Sequence, residues 1–350
     1  MSTWELLAAL PVEIEGYELE LLQTSFSPEF VRKTTVIHLH GAGETGVGED
    51  VTYAGDAHDA LQRSGATLAL AGRYTLATFA EHLRTLDLFP EPVQRPEFQA
   101  YRAWAFDSAA LDLALRQAGM ALHVALRRTP APVRFVASLR LGEPPSLDPL
   151  RRRLAIAPNL QFKLDPTPSW DDALIAGLVE LGVVESVDLK GQYEGTIVDN
   201  PADPALYRRV VEAFPDAWIE DPKLTPETEP ILEPHRERIT WDAPIHGVAD
   251  IQALQFAPRA LNIKPSRLGG LRSLLDTYDY CAAHGIAMYG GGQSELGPGR
   301  GQIQYLASLF HPDSPNDVAP AGYNLPDPPA GLPVSPLASV PARMGFGWTD

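Results

Sequence analysis

Apolar runs with the character of buried strands recur seven times between residues 133 and 292, and stretches with helical periodicity lie between them. The runs begin roughly 21 to 31 residues apart and cover 133–141, 160–165, 186–191, 217–222, 238–242, 260–265 and 286–292. Repeated strand–helix units require a parallel sheet, and seven or eight in a row favour a closed barrel over an open doubly wound sheet. We therefore predict an α/β fold containing a modified (β/α)8 barrel of the TIM type, in a (β/α)7β arrangement, with residues 316–320 as its weak last strand.

Two of the helical stretches have clear signals. The first begins at the cap-type residue Asp171 and stops at Gly182. The second, "GGLRSLLDTYDYCAAHG", places one apolar face toward the core, formed by Leu271, Leu274, Leu275, Tyr278 and Cys281. This position predicts that Cys281 is a small buried hydrophobic residue rather than a nucleophile.

The remainder of the chain differs in texture from the barrel. Residues 1–130 start with alternating segments typical of antiparallel strands, "EIEGYELELL" and "TTVIHLHGAG", and continue with helical stretches near 75–88 and 99–117. After about residue 320 the chain becomes rich in proline ("YNLPDPPAGLPVSP"). We predict an α+β domain over 1–130, the barrel over 131–320 and a separate tail over 321–350.

Composition limits the classes of partner. Acidic residues outnumber basic ones by 45 to 28, a net charge of -17 at pH 7, whereas nucleic acids and anionic membranes attract basic surfaces. The single cysteine excludes a disulfide framework and favours a reducing compartment. The first residues have no basic segment before a long apolar one, and no uninterrupted apolar stretch approaches about 18 residues. We expect a cytoplasmic protein that binds neither nucleic acid nor membrane.

Two motifs in the N-terminal region suggest chemistry that their context does not support. "GAGETGVGED" (41–50) contains the Gly-x-Gly-x-x-Gly pattern of dinucleotide sites, but the following "VTYAGDAHD" does not read as the required helix, so we predict a hairpin with glycine turns. His38 and His40 lie on one face of a predicted strand. Because no cysteine or carboxylate completes a ligand set at recognisable spacing, we interpret them as strand residues.

Charged residues collect at the C-terminal ends of the predicted barrel strands, where such barrels carry their chemistry. Carboxylates end three consecutive strands, at Asp188, Glu220 and Asp242. Converging carboxylates repel one another unless a cation neutralises them, and a hard divalent ion such as Mg²⁺ takes oxygen ligands. Further strand-end residues are Lys163, Asp165, Lys190, Lys264, Gln293 and Glu295. The arrangement fits removal of a proton next to a carboxylate, with a metal holding the developing charge and a lysine acting as base.

The motifs "VDLKG", "WIEDP", "ITWDAP" and "LNIKPSRLGG", in this order after "FKLD", resemble the enolase superfamily and, within it, the muconate-lactonizing-enzyme subgroup. The likeness covers nearly the whole chain. It implies that 1–130 is a capping domain to which the tail returns, and that the protein is a homo-oligomer. It further implies that Asp188, Glu220 and Asp242 bind Mg²⁺, or Mn²⁺ as an alternative ion, and that Lys264 is a catalytic lysine. The mandelate-racemase branch instead uses a His–Asp dyad, and the seventh strand here ends in "GGGQSELG" without a histidine.

Two substitutions depart from the family pattern. The second strand usually carries Lys-x-Lys, whereas this chain has Lys163-Leu164-Asp165; the third often carries Asp-x-Asn, whereas this chain has Asp188-Leu189-Lys190. Because alternate residues of a strand share a face and the two strands are neighbours, we hypothesise that Lys190 pairs with Asp165 or supplies the ammonium missing at position 165. A loop lysine in contact with solvent is the alternative.

The resemblance implies abstraction of the α-proton of a small carboxylate substrate through an enolate. Two lysines on opposite sides suit racemisation or epimerisation, which we expect, whereas one effective lysine suits β-elimination of the o-succinylbenzoate-synthase type or cycloisomerisation. Outside this class stand a catalytically silent carboxylate-binding protein and a nucleotide-dependent oxidoreductase. In the family, mobile cap loops set specificity, here about 22–33 and 50–58, so we expect substrate contacts from Arg32 and Tyr53. We also expect them from Gln293 and Glu295, which follow the seventh predicted strand. "GGGQSELGPGRG" (290–301) offers backbone N–H groups to a substrate carboxylate or forms a tight turn.

Overall fold

The computed structural model describes residues 2–27, 30–196, 198–338 and 340–348. The N-terminal region contains β1 (Pro11–Ile14), β2 (Gly16–Ser27), β3 (Phe30–Gly41), β4 (Glu44–Asp50), α1 (Gly55–Ser64), β5 (Gly72–Thr75), α2 (Leu76–Leu83), α3 (Glu97–Gln117) and α4 (Leu122–Ala125). The strands form two antiparallel sheets, a two-stranded one of β1 and β5 and a three-stranded one ordered β2-β3-β4. A short 3-10 helix (Trp4–Leu6) precedes them.

The Gly-x-Gly-x-x-Gly segment is a β-hairpin, as predicted. β3 and β4 pair as far as Gly41 and Glu44, and the turn between them has positive φ at Ala42 (51°) and Gly43 (78°). A Cβ atom at Gly46 would lie 2.2 Å from the backbone nitrogen of Leu113 in α3. The glycine therefore serves close packing of β4 on α3. A helix does form within residues 51–59, contrary to our interpretation of that segment. It is α1, which begins at Gly55, after β4 and not directly at the glycine turn.

The two segments expected to be loops are largely regular structure. Residues 22–27 and 30–33 belong to the long β2–β3 hairpin, and residues 28 and 29 of the predicted loop lie outside the described residues. Of the second segment, only residues 51–54 connect β4 to α1. The sequence prediction failed here because the polar and aromatic residues of 22–33 resemble a loop, whereas cross-strand pairing extends through them.

The barrel consists of seven parallel strands in the order β12-β11-β10-β9-β8-β7-β6, each of which overlaps a predicted run. The strands are β6 (Val136–Leu139), β7 (Gln161–Leu164), β8 (Val184–Asp188), β9 (Trp218–Glu220), β10 (Ile239–Trp241), β11 (Ala260–Ile263) and β12 (Ala287–Gly290). The helices are α5 (Asp148–Ile156), α6 (Asp172–Leu181), α7 (Pro204–Ala213), α8 (Glu229–Leu232), α9 (Val248–Ala253), α10 (Pro265–Leu268), α11 (Leu271–His284) and α12 (Pro298–Phe310), with 3-10 helices at Glu233–Arg238 and Ala321–Asn324.

The weak eighth strand is reduced to two residues that join the edges of the sheet. Val136 donates its N–H to the Asn316 carbonyl at 2.8 Å, and Asp317 donates to the Gly290 carbonyl at 2.8 Å. Asn316 and Asp317 thus bridge the first and last barrel strands, which explains why 316–320 carries so weak a strand signal.

The predicted helix ends are confirmed. The Asp171 side chain accepts the Leu174 N–H at 2.8 Å, and Gly182 takes a left-handed conformation with φ 63° at the end of α6. On α11 the predicted apolar face, with Cys281, is buried. Among the described residues, none of the helices is long and apolar enough to cross a membrane.

The tail residue Phe346 lies against the N-terminal region. Its N–H donates to Asp112 Oδ1 of α3 at 2.6 Å, and its ring contacts Trp104 of α3 and Tyr305 of α12 with centroid distances of 6.4 and 6.2 Å. The tail therefore contacts both α3 and the last barrel helix. The boundaries at 130 and 320 stay predictions.

Candidate active site

Five of the predicted site residues lie in a row at the carboxyl ends of neighbouring strands. Asp188 of β8 is the register partner of Glu220 of β9, Asp242 follows β10, Lys264 follows β11 and Lys163 lies on β7. All five side chains are buried. The order of the parallel strands therefore brings together residues that are up to about 100 positions apart in sequence, as the barrel interpretation requires.

Lys163 joins the first two carboxylates. Its ammonium donates to Glu220 Oε1 and lies 3.0 Å from Asp188 Oδ2. Glu220 also accepts the Tyr289 hydroxyl at Oε2 (2.6 Å) and the Asn262 amide at Oε1 (3.2 Å). Burial alone would lower the pKa of Lys163, but Asp188 and Glu220 hold it well above its usual value. Lys163 is therefore a fixed positive charge between two carboxylates.

Asp242 forms a second cluster with cationic and phenolic groups. Lys264 Nζ donates to its Oδ2 at 2.7 Å, Tyr193 donates to the same oxygen at 2.8 Å, and Arg267 Nε lies 3.4 Å from Oδ1. Burial would raise the pKa of Asp242, but Arg267 and Lys264 hold it below its usual range. The carboxylate thus fixes the position of the lysine that ends the sixth barrel strand.

Lys190 lies between Asp165 and Asp188, close to the hypothesised pairing. Its ammonium is 3.9 Å from Asp165 Oδ1, but its hydrogen bond goes to Asp188 Oδ2. The sequence prediction missed this contact because Lys190 has a positive φ of 53°, which ends the strand alternation at Asp188. The lysine contacts its own strand end more closely than the neighbouring strand.

Asp221 is a site residue that the sequence analysis missed. Oxygen atoms of Asp188, Glu220 and Asp221 lie within 4.8 Å of one another, an arrangement that could hold a metal ion; within the described residues this group does not include Asp242. Strand alternation would direct Asp221 away from Glu220, but a positive φ of 46° at Asp221 interrupts the strand. Its two oxygens also accept the backbone N–H groups of Asp242 (2.8 Å) and Ala243 (2.9 Å).

The charges of these residues fit a divalent cation. Burial, with the nearby carboxylates of Asp188 and Asp242, raises the pKa of Glu220 to about 8, although Lys163 works in the opposite direction. Burial and the same two neighbours raise the pKa of Asp221 to about 7. Repulsion between neighbouring carboxylates therefore adds to the effect of burial at both groups. A hard divalent ion with oxygen ligands would relieve this repulsion, and Mg²⁺ is such an ion.

The four predicted substrate contacts differ in accessibility. Tyr53 is 44% exposed, and its ring lies 4.3 Å from the guanidinium carbon of Arg32. Arg32 is buried and donates to the carbonyls of residues 51, 52, 293 and 294 at 2.7 to 3.3 Å. Gln293 donates to the Tyr101 hydroxyl at 3.1 Å, and Glu295 accepts the Gln293 N–H at 2.6 Å and pairs with Arg300 at 2.9 Å. In this conformation only Tyr53 presents a large exposed surface.

The glycine-rich loop after β12 uses its backbone N–H groups on Glu49. This buried carboxylate of β4 accepts the N–H groups of Leu296 (2.7 Å), Gly297 (3.0 Å) and Gly299 (2.9 Å). Of the two alternatives for this segment, the first does not apply to these three N–H groups in this conformation, because Glu49 accepts them. Together with Arg32, which binds carbonyls of the same loop, Glu49 fixes the N-terminal sheet to the barrel. No local pattern identifies Glu49, because its partners lie about 250 residues away.

Comparisons with known proteins match most of the chain. The family described as "Domain of unknown function (DUF8230)" matches with its N-terminal domain over residues 5–125 and its C-terminal domain over 129–325. An N-succinylamino acid racemase of Amycolatopsis sp is 28% identical over 333 residues, 88% of this chain and 86% of the relative.

Two solved structures share the fold. A member of the enolase superfamily from Listeria innocua Clip11262 is 18% identical with a TM-score of 0.63, covering 89% of this chain and 86% of that one. A dipeptide epimerase from Methylococcus capsulatus, complexed with a Mg ion, is 19% identical with a TM-score of 0.61, covering 94% and 97%.

Proposed function

The chain belongs to the DUF8230 family and has the fold of the enolase superfamily, and on this premise we propose that it abstracts the α-proton of a small carboxylate substrate through an enolate, with racemisation or epimerisation as the outcome. One observation carries the proposal. Lys264 on one flank and Lys163 with Lys190 on the other enclose the carboxylates that end β8, β9 and β10.

Lys264 is the proposed base. Its ammonium is buried and held by Asp242 Oδ2 at 2.7 Å. In its neutral amine form, a lysine held in this way accepts the substrate proton with little reorganisation. Asp242 orients the lysine, and the Tyr193 hydroxyl donates to the same carboxylate oxygen at 2.8 Å.

On the opposite flank, three residues together take the acid–base role of the second lysine in the family pattern. Lys163 supplies a fixed positive charge beside Asp188 and Glu220. Lys190 supplies the mobile ammonium that returns a proton to the other face, and Asp165, 3.9 Å from it, balances its charge. Inversion needs a base on one face of the substrate and a proton donor on the other, and Lys264 and Lys190 are the proposed pair.

Asp188 and Glu220, with Asp242 or Asp221, are the proposed ligands of Mg²⁺, with Mn²⁺ as the alternative. When bound, the ion supplies a Lewis acid for the substrate carboxylate. Asp221 has a further role as an anchor, because its oxygens accept the N–H groups that follow β10 and so place Asp242.

N-acylated amino acids, including dipeptides, are the proposed substrates. The racemase and epimerase relatives carry such substrates in their names. In this chain the exposed Tyr53 ring, stacked on the buried Arg32, is the proposed contact with the acyl portion. Gln293, whose carbonyl accepts from Arg32, and Glu295 are proposed to support this contact from the β12 loop. We also propose that the protein is cytoplasmic and a homo-oligomer; light scattering of the purified protein tests the oligomeric state.

β-Elimination of the o-succinylbenzoate-synthase type is the second candidate. The observation that favours it is Asp165, which stands where the family pattern has its second lysine. Elimination needs a base on one face only, and Lys264 supplies it. A cycloisomerase would need the same single lysine.

Proton NMR in D₂O with Mg²⁺ tests the proposal. Single enantiomers of N-succinylamino acids and dipeptides are incubated with the protein, with and without EDTA. We expect metal-dependent loss of the α-proton signal together with formation of the opposite enantiomer. Exchange with retention of configuration, or appearance of an alkene, would favour one-lysine chemistry. Absence of exchange across both substrate classes would overturn the proposed racemisation.

A further inference from the structure

We propose that Lys190 is an internal counter-cation of Asp188, which a divalent ion must displace, and that Asp165 receives the displaced ammonium. The inference rests on the proposed function, because it presumes that Asp188 is a metal ligand. It goes further by assigning to Lys190 and Asp165 the control of metal affinity.

Lys190 binds both oxygens of the same carboxylate. Its backbone N–H donates to Asp188 Oδ1 at 3.1 Å, and its ammonium donates to Asp188 Oδ2. The positive φ of 53° folds the lysine back over the strand end and makes this two-point contact possible. Non-glycine residues seldom adopt this conformation without compensation from their surroundings. The contact with Asp188 is therefore a built feature rather than an incidental position of a long side chain.

The oxygen that Lys190 occupies already has another cation. Lys163 Nζ lies 3.0 Å from the same Asp188 Oδ2 and is shared with Glu220. Two ammonium groups beside one oxygen repel each other. Of the two, Lys163 is more deeply buried and has two strong partners, so Lys190 is the one that can leave.

Asp165 offers a second acceptor for the Lys190 ammonium. Asp165 Oδ1 lies 3.9 Å from Lys190 Nζ, and within the described part of the chain this buried oxygen has no hydrogen-bond partner. The Tyr193 ring, 5.0 Å from Nζ, covers the ammonium on another side. A short movement from Asp188 to Asp165 keeps the charge paired, which avoids the large cost of an isolated buried charge.

This arrangement accounts for both departures from the family pattern together. With asparagine at position 190, Asp188 would have no ammonium from that position. With lysine at position 165, a displaced ammonium would have no acceptor there. Here a lysine replaces the asparagine and an aspartate replaces the lysine, so metal binding and placement of the ammonium at Asp165 become a single exchange.

Calorimetric titration with Mg²⁺ alone, at constant ionic strength and without substrate, tests the proposal. Lys190→Met removes the charge at similar length, and Lys190→Asn additionally favours the left-handed backbone conformation. We expect both variants to bind Mg²⁺ at least about tenfold more tightly than the wild type. Lys223→Met is the matched control, because Lys223 follows the next strand and pairs with Glu194 on the surface; its Kd should stay within about twofold.

A double-mutant cycle separates the exchange from simple charge removal. Asp165→Asn should weaken Mg²⁺ binding, since the Lys190 ammonium loses the charged acceptor to which it would move. In the Lys190→Met background the same substitution should have a clearly smaller effect.

Equal Kd values for wild type, Lys190→Met and Lys190→Asn would overturn the role of Lys190, while leaving the proposed function intact. Identical effects of Asp165→Asn in both backgrounds would overturn the role of Asp165. If neither wild type nor the Lys190 variants bound Mg²⁺, the metal site itself, and with it the proposed function, would be contradicted.

Discussion

Lys264 Nζ lies 2.7 Å from Asp242 Oδ2, so the lysine that ends the sixth barrel strand is held by the carboxylate that ends the fifth. The Tyr193 hydroxyl donates to the same oxygen, and Arg267 approaches the other oxygen at 3.4 Å. Asp242 is thus the common partner of two cationic side chains that follow β11 and of a tyrosine in the segment after β8. Its position determines where the proposed base points.

Removing the Tyr193 hydroxyl should loosen this arrangement. The hydrogen bond is to a charged carboxylate, a kind worth about 1.5–3 kcal/mol, so we expect Tyr193→Phe to lower kcat by about 10- to 100-fold with a small change in KM. Tyr305→Phe is the control, since Tyr305 contacts His123 instead. A Tyr193→Phe enzyme with wild-type kcat would show that Asp242 needs no such support.

Glu49 should contribute strongly to the attachment of the N-terminal sheet to the barrel. Glu49→Ala leaves three N–H groups without their acceptor, one of them buried and two partly buried, and we expect the free energy of unfolding to fall by about 3 kcal/mol in urea denaturation. Glu49→Gln keeps one acceptor and should lose less. Glu44→Ala on the same strand, where the side chain is only partly buried, should change it by about 0.5 kcal/mol or less. Equal losses for Glu49→Ala and Glu44→Ala would contradict the assignment.

His311 should make the barrel closure sensitive to acid. Burial lowers the pKa of His311 from 6.5 to about 4, and its Nδ1 lies 2.6 Å from Asn316 Oδ1 at the closing bridge. The folded state binds this proton less readily than the unfolded state, so the stabilising contribution is complete above about pH 6.5 and is lost as the pH falls toward 4. The loss is about 3 kcal/mol. His311→Gln should show a flatter stability profile over this range; parallel profiles would refute the role of His311.

Asp107 should have the opposite dependence. Burial raises its pKa from 3.8 to about 6, although its Oδ2 accepts the Leu271 N–H at 2.7 Å. The folded state binds this proton more readily than the unfolded state, so its contribution is complete below about pH 3.8 and is lost as the pH rises through 6, by about 3 kcal/mol. Asp107→Asn should therefore gain stability relative to wild type between pH 4 and 7 in chemical denaturation. A difference that does not change with pH would contradict this.

The strand-end rule was sufficient to predict the central residues. Asp188, Glu220, Asp242 and Lys264 each end an apolar run, and parallel strands place such ends together whatever the helices between them contain. The same rule failed at Asp221, because a positive φ there brings adjacent side chains to one site. Alternation along a strand is the only information that the sequence offers at this point.

Long-range contacts account for the other differences. The sequence analysis predicts Arg32 in a cap loop as a substrate contact, whereas it lies on β3 and donates to the Gln293 and Ser294 carbonyls of the β12 loop. Nothing in the sequence indicates the role of Glu49, since the N–H groups that it accepts belong to the β12 loop and come close only in the folded structure. Such partners follow from the three-dimensional arrangement and not from local patterns.

The most direct test of the central claim measures exchange of the α-proton with D₂O, in the presence of Mg²⁺, for each enantiomer of the best N-acylamino acid substrate. Wild type is compared with Lys264→Ala, and folding of the variant is verified by its thermal unfolding. We expect Lys264→Ala to lose exchange by about 10²- to 10⁴-fold, the usual contribution of a general base. Exchange at the wild-type rate by a folded Lys264→Ala protein would show that Lys264 is not the base.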